Sequence, residues 1–183
     1  MQTIPGRLEF EQYDEGGEGI AYHDQDSVNN GSGKLNPVNG NPLNEFRLKE
    51  GVDISYTKDG GIDDNPYNKV MPAMKSLYVG WTAEGEWINY TVNVKKNGTY
   101  NASLQYTANN NSLITIDVDN KNSIGNIPIP STHDDADTVA WRQWHHWNRI
   151  DSLFSIRLTK GAHTLRLRLV KNGDVNFDHM DLL

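Results

Sequence analysis

From Trp87 to Val94 the chain reads Trp-Ile-Asn-Tyr-Thr-Val-Asn-Val. In an extended chain Ile88, Tyr90, Val92 and Val94 fall on one side, and Asn89, Thr91 and Asn93 on the other. A period of two with one apolar side is the pattern of a strand with one buried face. The pattern returns at residues 100–106, where Tyr100, Ala102, Leu104 and Tyr106 share a face. It returns again at residues 163–170, with Leu165, Leu167 and Leu169. No segment sustains a helical period. The chain is therefore confined to sheets, and the repeated half-apolar strands require two sheets packed face to face.

The rest of the sequence fits that frame. Residues 7–13, 46–49, 52–56, 113–118, 153–158 and 175–182 read as further strands, and residues 141–148 begin a strand-like piece. Asn97-Gly98 is a hairpin signal. Residues 24–42, 58–75 and 130–140 are polar connections, the second too long for an ordinary loop. Short strands divided by polar turns predict an all-β chain: one antiparallel β-sandwich of jelly-roll type over residues 1–183. Residues 78–94 then read as strand, acidic turn and long strand. The alternation makes them chiefly scaffold, with Glu84 and Glu86 as polar turn residues.

Charge and composition narrow the partners. The net charge is −7 with no basic stripe, which argues against nucleic acid. The absence of cysteine removes disulfides, thiol nucleophiles and cysteine zinc sites. No apolar run approaches the roughly 20 residues of a membrane helix, so membrane insertion is not expected. Met1 leads at once into a charged strand, and the chain reads as a module whose export signal lies elsewhere.

Several stretches recur in a known order: IPGRLEFEQYDEGGEGIAYHD at the start, EGVDI at residues 50–54, VGWTAEGEWINYTVNV at 79–94 and NGTY at 97–100. WRQW at 141–144, LTKGAHTLRL at 158–167 and VNFDHMDLL at the end complete the series. In this order they resemble family 6 carbohydrate-binding modules over essentially the whole chain. The resemblance implies a galactose-binding-domain-like jelly roll. It also implies non-catalytic binding of a plant, microbial or algal polysaccharide or oligosaccharide. The setting implied is a monomeric, secreted or cell-surface bacterial module, covalently linked to a glycoside hydrolase that it targets to substrate. Two stretches are expanded relative to the family, residues 58–75 and the approach to Trp141 with His145-His146-Trp147. Both border the family's ligand site.

A sugar ring packs its C–H face on an aromatic ring, and its hydroxyls need planar polar partners. The family clasps its sugar between a Trp and a Tyr, with an Asn near the C-terminus. By position the resemblance assigns these roles to Trp141, Phe46 and Asn176, with Glu18 and Tyr22 from a neighbouring loop. Phe46 keeps a stacking surface and loses one hydroxyl. For each aromatic the competing expectation is core filling. Glu9 and Glu11, two apart on a strand, share a face. Like charges in an apolar interior need a cation, and calcium takes such hard oxygens; a solvated strand face is the other reading. The resemblance adds Asp178 and a structural calcium joining the first and last strands, with Asp181 as the fallback ligand.

Catalysis finds little support. Glycosidases use a carboxylate pair roughly 5–10 Å apart, whereas Glu84 and Glu86 flank a turn and point the same way. No GxSxG or HExxH motif is present. Adjacent His145 and His146 would point to opposite faces of a strand, away from a shared metal with Asp134, Asp135 and Asp137. A small jelly-roll glycanase or lyase is the alternative to a binding module.

Overall fold

The computed structural model describes residues 1–122 and 124–183. Its strands are β1 (Gln2–Ile4), β2 (Gly6–Glu9), β3 (Tyr22–His23), β4 (Ser32–Gly33), β5 (Asn36–Pro37), β6 (Ile54–Tyr56), β7 (Leu77–Val79), β8 (Trp87–Val94), β9 (Gly98–Ala108), β10 (Ser112–Val118), β11 (Lys121–Asn122), β12 (Ile127–Ile129), β13 (Asn148–Leu158), β14 (Gly161–Lys171) and β15 (Val175–Leu182). One sheet runs β1-β8-β14-β10-β11, with β3 beside β8 and β12 beside β10. The other runs β13-β9-β15-β7-β6, with β2 beside β15. Pairing in both is antiparallel except for β1 on β8. This is the all-β sandwich expected from the alternation.

The alternating faces meet between the sheets. Ile88, Tyr90, Val92 and Val94 of β8 are buried, as are Tyr100, Ala102, Leu104 and Tyr106 of β9 and Leu165, Leu167 and Leu169 of β14. Phe10 sits edge-on to Tyr90 at 5.6 Å and against Phe177 at 5.3 Å, tying β8 to β15 across the core. Each buried Leu, Ile or Phe contributes roughly 1.5–3 kcal/mol relative to exposure, so the alternation decides which face of each strand turns inward.

Local geometry departs from the sequence reading where that alternation fails. The first strand stops at Glu9 instead of continuing to residue 13, because Gln12 N donates to Glu9 O (3.2 Å) and closes a turn. Glu11 therefore lies beyond the strand that holds Glu9. Residues 46–49 are turn, closed by Glu50 N on Arg47 O (3.2 Å) with Arg47 at φ 50°. Residues 140–142 form a 3-10 turn, and the following strand starts at Asn148. Its register against β9 shifts between Ile150 and Phe154, which hides the first half of β13 from a period-two search.

A second register shift falls between Phe177 and His179 of β15. Strict alternation would turn residues 177, 179 and 181 inward. The bulge changes the phase, so Phe177, Met180 and Leu182 join the core. Asp178 and His179 are left as adjacent buried polar residues.

Candidate functional site

At one end of the sandwich a pocket of about 270 Å³ opens between loops. Its walls are Leu35, Asn36, Lys58, Ile62, Asp63, Tyr78, Trp81, Trp141, His145 and Asn176. Trp141 and Trp81 are exposed, 57% and 44% respectively, and are the only tryptophans among the exposed large hydrophobic side chains of the described residues. A large ring left in water on a pocket wall is a contact surface waiting for an apolar face.

Each ring is held by local structure. Trp81 follows β7 and Gly80 and adopts φ 48°, a left-handed conformation rarely found for a bulky side chain and costing on the order of 1 kcal/mol or more. Gly80 is required by a close approach: a Cβ there would lie 2.6 Å from Asn176 Oδ1. Trp141 rides on the 3-10 turn, and its neighbour Arg142 anchors that turn. Arg142 donates Nε to Asp137 Oδ2 (2.6 Å), Nη2 to Asp137 Oδ1 (2.8 Å) and Nη1 to Gly61 O (2.5 Å). The guanidinium holds the Asp137 carboxyl well below the usual carboxylate range. These bonds fasten the 130–140 loop to the 58–75 loop.

The polar floor is a connected network. Asn176 donates Nδ2 to Thr107 Oγ1 (3.0 Å), and the same nitrogen faces His145 Nε2 at 3.5 Å. His145 Nδ1 faces Asp63 Oδ1 at 3.4 Å. The arrangement suits a ring whose Nδ1 carries the hydrogen and whose Nε2 accepts. Asp63 also accepts from Trp147 Nε1 (2.8 Å) and from the backbone N–H of Lys58 (2.8 Å). Trp147 is fully buried beneath the site and packs edge-on against Tyr78 at 5.5 Å.

Residues 53–182, more than two thirds of the chain, match the family described as carbohydrate binding module (family 6). The chain belongs to the family 6 carbohydrate-binding modules. Membership carries the family's role, non-catalytic carbohydrate binding. No curated protein matches the chain. Among solved structures, a family 6 module from Clostridium stercorarium in complex with cellobiose superposes with a TM-score of 0.55 at 12% identity, over 99% of this chain and 95% of that one. Another family 6 module, dissected for its binding sub-sites, gives 0.54 at 14% identity, again over 99% and 95%. The C-terminal family 6 module of a marine laminarinase from Zobellia galactanivorans gives 0.53 at 15%, over 95% and 94%. At these identities the superpositions establish the fold.

Of the ligand residues read from sequence, the module brings Trp141 and Asn176 together in the pocket. Phe46 is elsewhere: it is partly buried and packs against the hydrophobic core, its ring spent on packing within the turn at residues 46–50. Glu18 and Tyr22 line a different depression of about 340 Å³ with Asp24, Gln25, Asp26, Ser27, Lys49 and Gly51. Tyr22 Oη accepts from Gly51 N (3.0 Å), and Glu18 is occupied by His23 Nδ1 (2.6 Å) and Asp24 N (3.0 Å). The sequence assigns no sugar-clasping role to Trp81, Tyr78, Lys58 or Asp63, and weighs His145 only as a metal ligand, yet all five line the pocket. The Trp81 signal was its place just past β7, after a glycine, where the alternation that marks scaffold has ended. Trp87, the other tryptophan of that stretch, is covered by the Arg166 guanidinium at 4.0 Å.

The proposed metal ligands also separate. Glu9, Asp178 and His179 each bring one atom within 4.8 Å of the others. Glu11 stands outside that tight group, yet its Oε2 is buried with no hydrogen-bond partner among the described residues. Burial pushes Glu11 up to about 7, with the neighbouring Glu9 and Asp178 charges adding to the rise. Asp181, the fallback, is instead paired with Arg7 (2.9 Å) and Arg149 (2.9 Å). A buried carboxylate oxygen without a donor, beside two more carboxylates, suits a hard divalent cation.

Beside the second depression, Asp24, Asp26 and Asp53 also crowd within 4.8 Å. Burial and the nearby Glu86 push Asp24 up to about 8, and burial pushes Asp53 up to about 6. A folded-state pKa above the unfolded value means that the folded module binds more protons, so stability falls as pH rises from about 4 to 8. Asp24→Asn is expected to flatten this slope and to raise stability at pH 8. Asp24 is partly exposed, so the effect is discounted to roughly 1–2 kcal/mol, or about 3–6 °C in melting temperature. Urea unfolding of both proteins at pH 5 and pH 8 measures it, and equal slopes would contradict the reading.

Proposed function

We propose that the pocket lined by Trp81, Trp141 and Asn176 holds the sugar ring of a polysaccharide, and that the module keeps a linked glycoside hydrolase close to that substrate. The observation that carries the reading is the pair of exposed tryptophans on one pocket whose floor presents fixed amide and imidazole groups. The rings offer apolar area to the sugar's C–H face, and Asn176, held by Thr107, offers its carbonyl to a hydroxyl. Tethering raises the local concentration of substrate around the enzyme without any chemistry in the module. The cellobiose held by the Clostridium stercorarium module supports a polysaccharide ligand here. Asp63 is the single carboxylate on the pocket wall, and it is already bonded to Trp147 and Lys58. That leaves no acid–base pair of the kind glycoside hydrolysis uses.

Calcium held by Glu9, Glu11 and Asp178 belongs to the same proposal, as a structural ion. It would neutralise the buried carboxylates where β2 lies against β15, with β2 pairing Glu9 to His179. The expected setting is a secreted or cell-surface protein of a bacterium, with the module acting as a monomer. A glycan microarray probed with and without EDTA tests the reading. Retention of defined oligosaccharides by the intact chain is the expected result. Absence of binding to any glycan, with the protein folded, would refute it.

A further inference from the structure

Among the described residues, Lys58 is the one lysine or arginine on the pocket wall. Its ammonium donates to Ser55 Oγ (3.1 Å) and Tyr56 O (3.1 Å), and it lies 4.1 Å from the Tyr56 ring centroid. Two of its three hydrogens are thus directed. The third has no acceptor among the described residues, and no carboxylate comes within ion-pair distance of Nζ. Burial lowers the Lys58 pKa, and the nearby Asp63 charge opposes this only in part, as expected for a cation partly withdrawn from water without a contact ion pair. Asp63, the pocket's carboxylate, lies beyond ion-pair distance of the ammonium, its oxygens turned to Trp147, the Lys58 backbone and His145.

We infer that the pocket is built for a sugar carrying an anionic substituent, a carboxylate or a sulfate ester, which Lys58 pairs while Trp81 and Trp141 hold the ring. The inference rests on the reading of this pocket as the sugar site and names the class of sugar it takes. A partly desolvated ammonium with a free hydrogen gains a charge-assisted bond from such a group, whereas a neutral sugar leaves it unpaired. The Tyr56 ring and the two existing bonds fix the ammonium in advance, which limits the entropy lost on binding.

Calorimetry with matched pairs of probes tests this. One arm uses oligogalacturonates and their carboxyl-reduced forms. The other uses κ-carrageenan oligosaccharides and their desulfated forms. The intact module is expected to prefer the charged member of at least one pair by roughly 10- to 100-fold, with the preference shrinking as salt is raised. The arm that shows it identifies carboxylate or sulfate. Lys58→Met should abolish the preference for the charged member, and Lys58→Arg should keep it. Melting curves confirm that both variants are folded. Equal binding of charged and neutral members, or a Lys58→Met variant that weakens both equally, overturns the inference while the sugar reading stands. Binding of neither member of any pair, nor of any neutral glycan, overturns both.

Discussion

Trp141→Ala is expected to lose retention on its polysaccharide while keeping its melting temperature within about 2 °C of the parent. The ring is 57% exposed, so its removal opens no core cavity. What is lost is contact area in the complex. A tryptophan offers about 200 Å². If a sugar covers half of it, the loss at ~25 cal/mol per Å² is about 2.5 kcal/mol, or roughly 60-fold in affinity. Single-site sugar binding begins weak, because few contacts must offset the ordering of both partners. A 60-fold loss therefore takes the module below detection in a pull-down. Trp81→Gly makes a sharper comparison. It removes the second ring and also relieves the left-handed backbone at φ 48°. Binding should fall similarly, while relief of about 1 kcal/mol of strain offsets the lost packing and leaves stability near that of the parent. Native gel retardation in soluble glycan reads the binding, and calorimetric scanning reads the stability. Undiminished retention in both variants would remove the pocket from consideration.

The second large effect is on stability. With the proposed calcium at a hundred times its dissociation constant, the folded state gains about 2.7 kcal/mol by mass action. For a chain of this size that corresponds to about 5–10 °C in melting temperature. EDTA is expected to lower the transition by that amount at neutral pH, and added calcium should restore it. Glu11→Gln removes a charge whose Oε2 lacks any protein donor. The variant should melt no lower than the parent in EDTA and should gain less from calcium. Below its transition the chelated module should still retain glycan, because the cluster around Asp178 lies outside the pocket lined by Asn176. A melting temperature indifferent to EDTA would contradict the structural ion. Loss of glycan binding in EDTA, with the fold intact, would show an ion acting at the sugar instead.

The legibility of the chain followed its periodicity. Strands β8, β9 and β14 alternate cleanly, so their buried faces could be named residue by residue. Where two residues of one strand oppose one of the next, the period is interrupted. That is why the first half of β13 was missed and why Asp178 and His179 are buried side by side. The site was legible only in part, for a related reason. Trp141 and Asn176 stand in stretches with recognisable neighbours. Trp81 was grouped with the scaffold, because its contribution depends on a backbone reversal after β7 that composition does not reveal. Phe46 shows the reverse: an aromatic at the expected place in the order, whose ring folds inward against the core. Lys58 and Asp63 share one loop, but His145, which faces Asp63, stands 82 residues further along the chain. No local spacing predicts such a meeting.

The pairing of β2 with β15 sets Gly6 opposite Leu182, whereas Asn176 stands near the other end of β15. Six residues of strand separate that pair from Asn176, a span of roughly 20 Å. The last strand therefore departs at the pole remote from the pocket, while the first strand doubles back: Gln2 lies beside Glu9, accepting from its N–H (2.7 Å) and donating to its carbonyl (3.0 Å), and Glu9 pairs with His179 midway along β15. The two ends are thus staggered along the sheet, and a polypeptide continued from Leu183 would hang from the pole that faces away from the pocket mouth.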